Sequence, residues 1–412
     1  MKMPLIATDS QAEAMSSSPL TTSGLRQASS RVLAIVAFAL LPGALLGALL
    51  VDLSLAHPTN PNYYWDFHVF WRAGRAVMHA RSPYPPVRAS VLAQQRSFVY
   101  PAPAAFLMVP FALIPYTLSA AIFAFVLVAS LPLALRIVGV RDWRCYGIAL
   151  FTGPMLNAVA VGAISPLLAI PLALVWRYRD RLWVAAAGAA AAITLKLFLW
   201  PLLLWFVFTR RTLTAAASVV LIAVPTLAAW AVIDFHSLLA YPRMLNLLSN
   251  LLDGKGYSLI ALGRSTGLWA PVARALPWVV GAAVLAAIAL LGRRSNGERP
   301  TFVLAVGAAL ALSPIIWLHY FVLLFIPIAV VAPRLSPLWA LPLAFWILGG
   351  QSVQPPIWDA PPKVIDLAKT PPVGHAWLVV YALAVTTVIL GLCVRATAGA
   401  PLRPLSARRS ES

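Results

Sequence analysis

Long apolar runs alternate with short basic breaks along most of this chain. Residues 32–51, 116–135, 212–233 and 275–292 each continue without a charge for about the 20 residues that a helix needs to cross roughly 30 Å of hydrocarbon. The runs are continuously apolar and rich in Leu and Ala. They predict helices and exclude a membrane barrel, whose strands would alternate in segments of about ten residues. Arg136/Arg141/Arg144, Arg177/Arg179/Arg181, Arg210/Arg211, Arg293/Arg294/Arg299 and Arg334 mark cytoplasmic loops by the positive-inside rule. Neighbouring basic loops must enclose an even number of crossings, so the stretch between Arg181 and Arg210 predicts a hairpin turning near Lys196, and 145–176 one turning near Gly162. Extended along the chain, this parity predicts an all-α bundle of about twelve spans. The segments 164–176, 183–195, 197–209 and 301–312 are the short ones, expected to be partly enclosed by the others.

One segment departs from this pattern. "YYWDFHVFWRAGRAVMHARSPY", residues 63–84, mixes an acid, two histidines and three arginines with bulky aromatics. Within 65–79, His68, Arg72, Arg75 and His79 fall at i, i+4, i+7 and i+11, while Phe67, Phe70, Trp71, Gly74, Val77 and Met78 fill the remaining arc. That spacing predicts a helix lying in the membrane interface, its basic stripe toward head groups. Asp66 stands outside the stripe, about 200° of helical rotation from His68. It either caps the helix N-terminus or points into the space beneath, where a low-dielectric wall would raise its pKa toward the range of a general base. Pro101, Pro103, Pro110 and Pro115 preclude one straight helix over 97–115. Residues 52–115 therefore read as an outer platform with interfacial helices, closing a cavity at the membrane surface.

Composition agrees: 61% hydrophobic and 10% charged residues in 412 exclude an ordinary soluble protein. The net charge of +19 does not indicate nucleic acid as a partner, because the basic residues sit in small groups between apolar runs and not along one face. Lys2, Arg26 and Arg31 before the first run, and Arg395, Arg403, Arg408 and Arg409 after the last, place both termini in the cytoplasm. Residues 1–30 are expected to be a disordered cytoplasmic tail, 31–395 the transmembrane domain, and 396–412 a basic cytoplasmic tail. The first run has no small-residue cleavage site close behind it and reads as a retained anchor. Cys145 and Cys393 fall near inner ends of spans, which gives no disulfide to the outer loops and no cysteine-based zinc site.

Sorted by this topology, Asp9, Glu13, Asp142, Asp180, Glu298 and Glu411 lie inside, in tails or beside arginines where solvated pairs are expected. Outside lie Asp52, Asp66, Asp234, Asp253, Asp359 and Asp366 with His57, His68, His79, His236, His319 and His375. Proton-transfer chemistry is therefore expected at the outer face, over the long loops 52–115, 234–270 and 351–375. Lys196, the only charge between Arg181 and Arg210, either snorkels or binds an anion. His319, in "LSPIIWLHYFVLLFIP", is either a structural donor or part of a site. Asp66, Lys196 and His319 come from distant parts of the chain to one predicted depth. No DxD, GxGxxG, P-loop lysine or HExxH motif is present, so nucleotide and zinc-protease chemistry lack sequence support. An enzyme at this face needs a donor delivered through lipid, such as a sugar on a polyprenyl phosphate. Asp66 would deprotonate the acceptor hydroxyl, and Lys196, Arg264 and His319 would stabilise the departing phosphate. A proton-coupled carrier or lipid flippase could use the same residues as a relay, but it needs polar groups near the midplane, whereas these gather at one side.

Asp66, Val69, Phe70, Ala73, Gly74 and Ala76 with Pro83 and Tyr84, then Tyr100–Pro101, Lys196 with Pro201, Ser258 with Arg264, and "SPIIWLHY" from Ser313 to Tyr320 follow in an order that resembles the bacterial glycosyltransferase family 87. That family is polyprenyl-phosphate-sugar-dependent, has the GT-C fold and includes a mycobacterial mannosyltransferase of phosphatidylinositol mannosides. The resemblance spans residues 63–320. It implies a GT-C-like bundle in the bacterial plasma membrane and a hexosyltransferase similar to an α-mannosyltransferase, with its active site on the extracytoplasmic side. It also implies a polyprenyl-phosphate sugar donor, a lipid or glycan acceptor, inversion at the anomeric carbon, and no obligatory metal or cofactor. The family's general base falls on Asp66; Tyr84, Tyr100, Ser258, Trp317 and Tyr320 stand in the matched motifs and are expected to support the site. Three positions depart: Ala163 follows Gly162 where Gln is frequent, Ala102 replaces a second Pro, and Gly256 replaces the usual Asn. The lost amides bear on which sugar and acceptor are read.

Overall fold

The computed structural model describes residues 22–55, 64–94, 96–294, 296–351 and 376–398. His57, Asp359, Asp366 and His375, residues 1–21 of the expected N-terminal tail, and 399–412 of the C-terminal one lie outside the described residues. Among those described the chain is helical and contains no strand. Helix Thr22–Ile35 begins inside the segment expected to be a disordered tail.

Among the described residues five helices are long and apolar enough to cross a membrane: Ser29–Val51, Tyr116–Val138, Thr212–Ile233, Ala270–Leu291 and Ala376–Thr397. The first three of the four clearest apolar runs lie within the first three of these helices, and the fourth, 275–292, ends one residue beyond Ala270–Leu291. Their flanks keep large apolar side chains on the outside, with Leu213 and Leu290 each 74% exposed, a surface that hydrocarbon covers and water would not. This is an all-α polytopic membrane protein.

Twelve helices of spanning length are not found among the described residues. Gly153–Val161 and Ser165–Arg177 form one pair bent by 120°, and Leu182–Leu195, Leu197–Phe208, Leu318–Val331 and Pro337–Leu348 are shorter apolar helices. Parity counting treats every run between basic loops as full crossings. Here the runs are cut at Gly162, at Lys196 and between Leu312 and Leu318 into pieces shorter than the roughly 20 residues a crossing takes. Of the four segments expected to be partly enclosed, 164–176 and 301–312 are buried or half-buried throughout, whereas Trp183 in 183–195 and Leu197 and Val207 in 197–209 are exposed; every residue from 318 to 330 is buried as well.

The interfacial helix runs from Trp65 to Met78. Phe67, Val69, Phe70, Ala73, Gly74 and Val77 are buried, while Arg72, Arg75 and His79 remain exposed, the two faces that the spacing predicts. His68 leaves the exposed stripe and rests against the Tyr116 ring, 5.2 Å between centroids. The proline-rich stretch splits into Ala102–Leu107 and Val109–Ala112. What fixes the buried face is the turn at Gly162, which ends helix Gly153–Val161 in the left-handed region at φ 70°. A Cβ at Gly162 would fall 2.6 Å from the Cβ of Phe67, so only glycine supplies both the turn and the close approach. Phe67 also stacks on Phe123 at 4.6 Å, and Asp66 is thereby held one residue from a rigid aromatic contact.

At another end of the bundle, Glu298 accepts from Arg179 Nε at 2.8 Å and from Arg211, which also reaches Asp180 at 2.7 Å. Glu298 was expected in a solvated pair. Its side chain is only 23% exposed between arginines that are 12% and 15% exposed.

Candidate active site

Asp66, Tyr100, Lys196, His319 and Tyr320 arrive from separate breaks in the helical bundle and meet. Asp66 lies in the first turn of its helix, but the cap position is Tyr64, in left-handed backbone, and no side chain caps the turn. Of the two roles open to Asp66, the cap is not the one taken. The other described acids with placed side chains are occupied: Asp142 and Asp234 cap helices, and Asp180, Asp253 and Glu298 bind arginines. Asp66 instead faces the Tyr100 hydroxyl, positioned to donate to it, and feels the charge of Lys196 at a distance beyond direct ion pairing.

Asp66 is densely surrounded by protein yet keeps partial solvent access. Its helix is not among the candidate spans. Burial lifts the carboxyl to about 6, outweighing the Lys196 charge and the Tyr100 hydrogen bond, both of which pull it down. Such a group is ionised at neutral pH and basic enough to accept a hydroxyl proton as an acceptor is attacked.

Helix Leu182–Leu195 stops at Lys196, whose backbone is extended (φ −151°, ψ 107°) before the short turn Leu197–Leu199 and helix Pro201–Phe208. This break turns Lys196 inward: it is 6% exposed, with Nζ 3.4 Å from the Tyr320 ring centre and 5.7 Å from that of Tyr100. Nζ makes no hydrogen bond to protein. Burying an ammonium this way is costly; a desolvated cation–π contact offsets about 2 kcal/mol or more. Burial lowers the group from the ordinary lysine range to about 7, outweighing the Asp66 charge, so the cation is available to an anion chiefly below that pH.

His319 and Tyr320 open the tight helical segment Leu318–Leu324 after the extended residue Trp317. His319 Nδ1 lies 3.3 Å from Asn157 Oδ1, and Nε2 is buried without a hydrogen-bond partner. Asn157 is a site residue that sequence reasoning missed. Its signal was available, as the only amide in the apolar stretch "GPMLNAVAVGA". Tyr84 supports the group from behind: its hydroxyl donates to the Tyr100 carbonyl at 2.8 Å while its ring stacks on Trp230 at 4.7 Å. Tyr241, also missed, donates to the Val99 carbonyl at 3.1 Å.

Three expected residues have other contacts. Ser258 is an N-cap, accepting from Ala261 N at 3.1 Å. Arg264 faces Asp253 at 3.3 Å and donates to the Leu268 carbonyl, an engagement that competes with phosphate binding. Trp317 packs at the edge of the core. A small cavity of about 30 Å³ adjoins the aromatic support at Tyr84 and Tyr241; a larger one, of about 410 Å³, is lined by Val207, Phe208, Arg210, Thr212 and Arg293 and shares no residue with this cluster.

Residues 98–317, just over half of the chain, match the family described as Glycosyltransferase family 87. No curated protein and no solved structure matches the chain.

Proposed function

The chain belongs to glycosyltransferase family 87 and is a membrane glycosyltransferase; from that premise we propose that it transfers mannose or another hexose from a polyprenyl phosphate to a lipid-linked or glycan acceptor. The reaction takes place at the extracytoplasmic face of a bacterial plasma membrane, with both termini in the cytoplasm. The observation that carries this reading is the meeting of Asp66 and Lys196 in one protein-enclosed site, with His319 adjoining.

In this mechanism the Asp66 carboxylate takes the proton of the acceptor hydroxyl as its oxygen bonds to the anomeric carbon. The bond from that carbon to the phosphate oxygen breaks on the opposite face, which inverts the centre. Polyprenyl phosphate leaves with the electron pair, and Lys196 with His319 stabilises the charge that develops there. Tyr100 orients the carboxylate, and Tyr320 holds the ammonium. Arg264 joins the phosphate only by exchanging its contact with Asp253.

The test incubates purified protein with radiolabelled polyprenyl-phosphate sugars and native membrane lipids, alongside nucleotide sugars. Transfer from a polyprenyl phosphate, lost at least about a hundredfold in Asp66→Asn, is expected. A fully active Asp66→Asn variant would eliminate Asp66 as the base, and transfer from nucleotide sugars alone would eliminate the donor class.

A further inference from the structure

The cavity of about 410 Å³ lies at the end of helix Pro201–Phe208 away from Lys196, where that helix turns into Thr212–Ile233 and where Ala270–Leu291 ends. We propose that it is a binding site for the phosphate-bearing head group of an anionic phospholipid from the leaflet opposite the catalytic cluster. Its volume lies within the roughly 300–1,000 Å³ of small-molecule sites, and its lining is divided in the manner of a lipid. Val207 and Phe208 offer an apolar wall; Arg210, Thr212 and Arg293 offer donors.

The charges there are uncompensated. Arg179 and Arg211 are neutralised by Glu298 and Asp180, whereas among the described residues neither Arg210 nor Arg293 forms an ion pair. Arg210 moreover sits at φ 64°, a left-handed conformation that an arginine adopts at a cost and that Gly or Asn would adopt with less. Thr212 begins a 22-residue helix whose first turn has no side-chain cap, so its amide groups and dipole favour an anion in the same space. Leu213 and Leu290, both 74% exposed, extend an apolar surface on the two flanking helices, the direction in which acyl chains would run. Basic pockets between helices at the cytoplasmic membrane surface recognise head groups in this way.

The phosphate could also be a free anion, and the experiment separates the two. The purified full-length protein in phosphatidylcholine-containing micelles is titrated with phosphatidylglycerol, and adducts are counted by native mass spectrometry. Wild type is expected to retain a phosphatidylglycerol adduct that phosphatidylcholine does not replace. The Arg210→Asn/Arg293→Gln double variant should lose at least tenfold in occupancy, whereas Arg395→Gln, a charge removed at the end of another helix, should retain it. Should the double variant fail to fold, Arg293→Gln alone carries the same test with a smaller loss. Unchanged occupancy in the variants, equal retention of phosphatidylcholine, or displacement of the adduct by an equal concentration of inorganic phosphate would overturn the proposal.

Discussion

Lys196 points its ammonium at the face of Tyr320, with Nζ 3.4 Å from the ring centre. Phe198 stacks on the same ring at 5.2 Å, so the Tyr320 face that receives the cation is held in place by packing. Tyr320→Phe should leave donor affinity close to wild type, because the ring and not the hydroxyl faces the ammonium. Tyr320→Leu removes a contact of about 2 kcal/mol and should weaken donor binding by roughly 30-fold. Donor KM across the two variants checks this; a leucine variant with wild-type donor KM would remove the cation–π contact from the account.

The Asp66 carboxyl, raised by burial to about 6, sets an acid limb in the activity profile. A general base works only when ionised, so transfer should fall tenfold per pH unit below about 6; burial also lowers the Lys196 ammonium to about 7, so the profile should fall again as pH rises through that value. Lys196 lowers the carboxyl through its charge. Lys196→Met should therefore move the limb to higher pH, besides weakening the donor more than the acceptor. Rates of kcat/KM against pH for the two proteins decide the matter; an unmoved limb would mean that the lysine does not act on the base.

Much of this was legible before any fold was known, for reasons that differ by residue. The long helices follow from apolar runs that no water-exposed element tolerates, and the Trp65–Met78 helix from the 3.6-residue spacing of His68, Arg72, Arg75 and His79. Lys196 and His319 stood out because a charge or imidazole is scarce inside apolar sequence. The contacts of Lys196 with Tyr320 and of His319 with Asn157 were not legible, since a ring face or an amide becomes a partner only through tertiary packing. Ser258 carried an unused signal: a serine just before "LIALG" is an ordinary helix start, and that is the contact it makes. The turn near Gly162 followed from parity and is found as a 120° bend between Gly153–Val161 and Ser165–Arg177, whereas which of the short apolar pieces cross fully is not set by counting sides of the membrane.

That bend gives a stability prediction. Gly162→Ala puts a side chain into left-handed backbone, costing roughly 1–2 kcal/mol, and drives it against Phe67, with overpacking of about 1–3 kcal/mol more. Gly139 is also left-handed, at φ 110°, but a Cβ there meets nothing within 4 Å. Gly139→Ala should therefore cost only the backbone part. The expected order of melting temperatures is wild type, Gly139→Ala, Gly162→Ala, with transfer activity reduced only in the last, whose clash adjoins Asp66. Equal melting temperatures for the two variants would show that the Phe67 contact yields without cost.

The Glu298 cluster should govern stability without touching the reaction. Glu298→Gln leaves Arg179 without its only ion-pair partner among the described residues and Arg211 with Asp180 alone. A fully buried pair broken on one side costs about 3–5 kcal/mol; partial exposure here screens the charges and brings the expectation to roughly 1–3 kcal/mol. Asp180 is 66% exposed, so Asp180→Asn should cost about 1 kcal/mol or less. Thermal unfolding of both variants, read beside transfer rate per folded molecule, separates the two effects. The glutamine variant should melt several degrees below the asparagine variant, and both should turn over donor at the wild-type rate. A Glu298→Gln protein that melts with wild type would mean that the arginines find water instead, and that this end of the bundle is held by apolar packing.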